Sequence, residues 1–131
     1  MPPVPFRKRF SFEDRCNESV KIKDKFPGRL PIIVERSDRS VNIQKLDKEK
    51  FLVPSDLNLS QFIFVVRRRL ELPSETALFL FVGGILPTTG MLIRELYALH
   101  KDPDGFLYVQ YSGENTFGSQ EFLSISSFNF R

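Results

Sequence analysis

The apolar pattern changes period across Pro54. Before it, in "KEKFLVP", Phe51 and Val53 alternate with Lys50 and Leu52, the two-residue repeat of an extended strand. After it, in "DLNLSQFIFVVRRRLEL", Leu59, Phe62, Ile63, Val66 and Leu70 recur at helical spacing. Arg67, Arg68 and Arg69 fall near the end of that run, where cations complement the helix dipole. A switch from strand to helix over so few residues requires a fold of mixed class.

The flanking segments fill out the order. Val4 to Arg9 is short, basic and helix-like. Ser11 can cap a second helix with Asp14 three residues later, and Phe12, Cys16, Ser19, Val20, Lys23 and Phe26 form its fair apolar stripe until Pro27-Gly28 ends it. Leu30 to Arg36 is β-branched, and its Pro31 favours an edge or strand-start position. "RSDRSVNIQKLD" is a turn-rich link. "TALFLFVGGILP" reads as a strand, a Gly83-Gly84 hairpin turn requiring positive φ, and a return. "TTGMLIRELYALHK" reads as a helix with Leu92, Leu96 and Leu99 on one face, ended by His100, Lys101 and the turn "DPDG". "FLYVQY" is a last strand. Helix, helix, strand, strand, helix, strand, helix, strand makes an α+β sheet with its helices on one face. That order matches the ubiquitin-like β-grasp with two additional N-terminal helices.

A chain of 131 residues is one domain, large enough to bury a core without metal or disulfide support. With 14 phenylalanines and no tryptophan, that core is expected to be aromatic-rich. The lone Cys16 cannot form an internal disulfide, and neither a membrane span nor a secretory signal is visible, so a cytoplasmic location is expected. Charge is uneven: residues 1–29 hold eight Lys/Arg against four Asp/Glu, and residues 71–118 hold two against six. A basic front and an acidic back predict a dipolar surface.

No catalytic constellation is present. His100 is the only histidine, Cys16 lies on a different predicted element, and one Cys with one His cannot fill a zinc site. "VGGILPTTG" lacks the Lys-Ser/Thr of a phosphate loop. Arg67-Arg68-Arg69 fan around a helix turn rather than forming one grip, and no RNP-type motif accompanies them, so nucleic acid is not an expected partner. The expectation is a protein that is not an enzyme and needs no cofactor. "LDKEKFLVPSDL" is more informative: an edge strand apolar on both sides and flanked by lysines is an aggregation hazard unless something pairs with it. Either both sides are covered internally, or an extended peptide adds there as a strand with its acids towards the lysines. The C-terminus raises a related question. After Ser112 the chain carries Phe122, Leu123, Ile125, Phe128 and Phe130 with no pattern that places them on one covered face, so the tail either docks or is removed.

"FPGRLPIIVER", "LDKEKFLVPSDLNLSQFIFVVRRRL", "ALFLFV" and "HKDPDGFLYVQYSGENTFG" together resemble the autophagy ubiquitin-like modifiers, the family of the GABA-receptor-associated protein and microtubule-associated light chain 3. The similarity runs from about Phe6 to Gly118. It implies an N-terminal helical extension (1–27), a ubiquitin-like domain (28–118) and a propeptide (119–131). A cysteine protease recognising Phe117 would cut after Gly118. Activating and conjugating enzymes would then pass the glycine to phosphatidylethanolamine, leaving the protein on autophagosomal membranes and cytoplasmic vesicles. The resemblance also implies two pockets for receptors with aromatic-x-x-aliphatic motifs. Glu18, Ile22, Pro31, Ile33, Lys50, Leu52 and Phe106 would take the aromatic residue. Phe51, Val53, Pro54, Leu57, Phe62, Val65 and Arg69 would take the aliphatic one, and Lys48, Lys50 and Arg29 would attract neighbouring acids. Phe79 and Phe81 match aromatics of membrane contact, or are core residues of a central strand. The alternative is an unprocessed soluble adaptor for vesicle trafficking or microtubule attachment.

Overall fold

The computed structural model describes residues 4–38, 40 and 42–114; Phe117, Gly118 and the 119–131 segment lie outside the described residues. Along the chain run α1 (Phe6–Arg9), α2 (Phe12–Lys25), β1 (Arg29–Arg36), β2 (Lys50–Pro54), α3 (Leu59–Leu70), β3 (Phe79–Phe81), α4 (Ile93–His100) and β4 (Leu107–Ser112). The strands form one sheet in the order β2-β1-β4-β3, with β1 parallel to β4 and the outer pairs antiparallel. Every element expected from the sequence is present and in that order.

Local chemistry explains most boundaries. Ser11 Oγ accepts the Asp14 N–H at 3.1 Å and starts α2. Asn58 and Gln61 make a reciprocal capping box that starts α3 directly after the Pro54 turn. Gly83 and Gly84 both have positive φ and close the Val82–Ile85 bridge, as a hairpin turn requires.

Four readings need correction. Of the two positions expected for Pro31, the strand start is observed and the edge is not, since β1 is a central strand. The proline is tolerated because β4 begins opposite Ile32, so the missing N–H would face beyond the end of that neighbour. The helices do not all share one face of the sheet. Ile32 and Val34 point into the main core with Phe51, Phe62, Val66, Leu96 and Tyr111, while Ile33 points the other way into a second core with Phe6 and Phe106. Strand alternation sends neighbouring residues to opposite faces, so a chain apolar at 32, 33 and 34 needs cover on both. The α2 stripe is also shifted: Phe12 and Val20 are exposed, and Ser19 is the buried residue of that helix. In α4, Leu99 is exposed, and Ile93, Leu96 and Tyr97 form the buried face.

Candidate functional site

Among the described residues β2 is an edge strand, and the register fixes which of its backbone groups turn away from the sheet. Residues 34 and 49 are bonded through the Val34 N–H and Glu49 carbonyl at 2.8 Å, and the Ser55 N–H bonds the Gly28 carbonyl at 3.0 Å. Both contacts fall on the same register as Ile32↔Phe51 and Leu30↔Val53. Antiparallel pairs alternate between bonded and unbonded, so Lys50 and Leu52 turn their N–H and C=O groups outward. Pro31, opposite Leu52, could not have supplied the alternative ladder. The Arg29 guanidinium already donates to the outward Leu52 carbonyl at 3.2 Å.

The side chains divide across that edge. Lys50 and Leu52 lie on the face of the second core. Lys50 Nζ meets Glu18 Oε2 at 2.6 Å, and Ile22 packs against the Phe6, Ile33 and Phe106 cluster. Ile33 and Phe106 are fully buried, with the Phe6 ring 5.3 Å from that of Phe106 in an edge-on contact, so they form a floor and leave Glu18, Ile22 and Leu52 as the accessible rim. Pro31 is buried beside them. On the other face, Phe51 and Val53 are buried, and Phe51 meets Phe62 edge-on at 5.9 Å. Pro54 and Leu57 are half-buried and Val65 is exposed. Lys48 Nζ sits 4.8 Å from the Phe51 ring centre.

Two cations of the site are already engaged. Arg69 makes a forked pair with Asp47 at 2.9 and 3.3 Å, which holds the Asp47 carboxyl below its ordinary range. Lys50 is paired with Glu18. Glu18 and Asp47 thus already neutralise these two cations within the fold. Phe79 and Phe81 separate: Phe79 is half-buried and Phe81 is buried, but β3 is an edge strand of the sheet and not the central one that the core reading assumed.

The structure adds residues that the sequence did not single out. Asp104 is buried and accepts from Arg15 at 2.5 Å, from the Tyr108 hydroxyl at 2.5 Å and from the Phe106 N–H at 2.8 Å. Its carbonyl accepts from Ser19 Oγ at 2.6 Å. This network fastens α2 to the turn before β4 and so sets the rim of the first face. "DPDG" signals the turn, but Arg15 stands 89 residues away and nothing local points to it. Among the described residues no group of His, Cys, Asp and Glu could hold a metal ion, and no helix is long and apolar enough to cross a membrane.

Known proteins are similar to this chain in sequence and fold. A family model described as "Autophagy protein Atg8 ubiquitin like" matches residues 14–118. Autophagy-related protein 8 of Vanderwaltozyma polyspora is 52% identical over 114 residues, covering 87% of this chain and 96% of the relative. That of Candida albicans is 50% identical over 125 residues, covering 95% and 92%. A crystal structure of Trypanosoma brucei ATG8 superposes with a TM-score of 0.81 at 41% identity, covering 89% of this chain and all of that one. With its ubiquitin-like sheet, its two leading helices and a family match across most of its length, the chain belongs to the Atg8 family of ubiquitin-like autophagy proteins.

Proposed function

We propose that the protein is a modifier cut after Gly118, joined through that glycine to phosphatidylethanolamine, and used on autophagosomal membranes to recruit receptors by strand addition along β2. The observation that carries the recruiting half is the β2 edge. Outward polar groups at Lys50 and Leu52 lie between two apolar faces, with Lys48 at one end. An aromatic-x-x-aliphatic segment suits that edge because residues three apart on a strand point to opposite faces. Its backbone pairs with Lys50 and Leu52, its aromatic side chain enters beside Ile22 and Leu52, and its aliphatic one enters beside Phe51, Leu57 and Val65. Each anchor contributes roughly 1.5–3 kcal/mol when fully buried, and ordering costs leave micromolar affinity.

The conjugating half rests on family membership and on the Phe117-Gly118 sequence. A cysteine protease hydrolyses the Gly118–Ser119 bond. The activating enzyme joins the freed carboxylate to the nucleotide of ATP with release of pyrophosphate; an enzyme thiol then displaces AMP to give the thioester, which passes by thiol exchange to the conjugating enzyme. The lipid amine displaces the thiol and forms an amide. A two-chain lipid then supplies the membrane hold that the described helices do not. Phe79, half-buried on an edge strand, is available to touch that membrane. The intact mass after treatment with the family's protease tests this first. A product ending at Gly118 from the parent chain, and none from Gly118→Ala, is the expected result. An uncut chain in both overturns the modifier reading and leaves the unprocessed adaptor.

A further inference from the structure

The segment beyond the described residues carries the spacing that the β2 edge is proposed to read. Phe122-Leu123-Ser124-Ile125 is aromatic-x-x-aliphatic, and it follows Glu121, the one acid in residues 115–131. The other aromatics there do not fit: three residues after Phe117, Phe128 stand Gln120 and Arg131, and Phe130 has no third residue after it.

Topology brings the last described residues, Gly113 and Glu114, to the end of the sheet where β2 starts. β4 finishes beside the end of β1, with Arg36 opposite Tyr111, and Gly113 N–H bonds Ser40 Oγ at 2.8 Å. β2 starts at the same end, since the Val34 N–H reaches the Glu49 carbonyl. The strand order is β2-β1-β4, so the outer edge of β2 is about three strand spacings, or roughly 15 Å, from the end of β4. Eight residues from Glu114 to Phe122 span up to about 26 Å when extended, so the reach suffices. A cleft of about 670 Å³ crosses the intervening ground, lined by Gln110 and Tyr111 at one end and by Lys48 and Glu49 at the other. A chain arriving from that side can lie along β2 only in the direction of β2. It then presents Glu121 at the Lys48–Lys50 end before Phe122 and Ile125 turn to opposite faces.

We infer that the chain's own Phe122–Ile125 segment docks along β2 in cis and occupies the receptor site until the cut after Gly118 removes it. The same cleavage that frees the glycine for conjugation frees the edge strand for receptors. This rests on the strand-addition reading of β2. With phenylalanine as its aromatic anchor and a single acid, the segment is a weak ligand that works through tethering, because a short covalent connection supplies an effective concentration on the order of millimolar. A receptor therefore displaces it at a cost, and the cost ends with cleavage.

The test is fluorescence polarisation of a labelled synthetic peptide with acids before a Trp-x-x-Leu core. It uses the intact chain, its Phe122→Ala/Ile125→Ala variant, and a chain ending at Gly118. Every described element ends by Ser112, so the shortened chain keeps the whole described fold. The intact chain is expected to bind roughly tenfold more weakly than the other two. Equal affinity in all three overturns the docking. Absence of binding in all three instead overturns the strand-addition reading, and the docking with it. A weakening that grows with protein concentration, together with dimers in sedimentation, puts the segment on a second copy and overturns the arrangement in cis.

Discussion

Gly105 sits where a side chain does not fit. Its φ is +92°, and a Cβ there would lie 2.3 Å from Ser19 Oγ. Gly105→Ala both strains the backbone and pushes α2 away from the turn before β4. A loss of about 2–3 kcal/mol is expected, a fall in Tm on the order of 10 °C, measurable by thermal denaturation. Tyr108 belongs to the same network. Burial, then its bond to Asp104, pushes its hydroxyl well above the ordinary tyrosine value of 10.0. The folded state thus holds that proton more tightly than the unfolded one. The stabilisation is complete below about pH 10 and is lost as pH climbs through the folded value. Denaturant midpoints should therefore decline above pH 10, and the decline should be shallower in Tyr108→Phe; identical slopes would remove Tyr108 from the account. The "DPDG" turn was legible in the sequence, because turn chemistry is local. Arg15 and Ser19 as its partners were not.

The proposed receptor site falls on β2, which α3 backs through the Phe51–Phe62 contact. Because Leu52 faces its N–H outward, proline there removes an edge donor and leaves the β1–β2 ladder whole. Leu52→Pro is expected to cost under about 1 kcal/mol of stability. It should weaken peptide binding at least tenfold beyond Leu52→Ala, which removes side-chain contact alone. Calorimetric titration of both variants checks this, and equal losses would mean that the backbone does not pair. Asn58→Ala should remove about 1 kcal/mol by opening the capping box, seen as a shift in urea midpoint. The period change across Pro54 made β2 and α3 readable in advance, whereas the Asn58 cap emerged only from the structure. The edge position of β2 was expected as well, from lysines beside a doubly apolar strand. Pro31 gave the opposite lesson. Its exclusion from ladder interiors is a rule about hydrogen bonds to a neighbour, and where β4 begins is not written near residue 31.

Across the whole molecule the sheet is covered on both faces, and the smaller core is built around Phe6, Ile33 and Phe106. Phe6→Ala should therefore be expensive for a residue so near the N-terminus, about 3–4 kcal/mol by chemical denaturation. A loss under about 1 kcal/mol would show the N-terminal helices to be weakly docked. The charge asymmetry of the sequence also changes meaning on folding. Arg7 and Arg15 of the basic front meet Asp102 and Asp104 of the acidic back, and Arg9 pairs with Glu49. Part of the expected dipolar surface is spent inside the fold, joining its two ends.

Periodicity, capping residues and turn chemistry act over a few positions, and they sufficed to specify eight elements, their order and their class. The apolar stripe of α2, the exposure of Leu99 and the partner of Asp104 were beyond their reach. Each depends on which surface a distant segment covers: Phe12, Val20 and Leu99 are as apolar as buried residues, but no described element packs over them. A helix's own sequence says that it has an apolar side, whereas the buried side is set by contacts that form only when residues tens of positions apart come together.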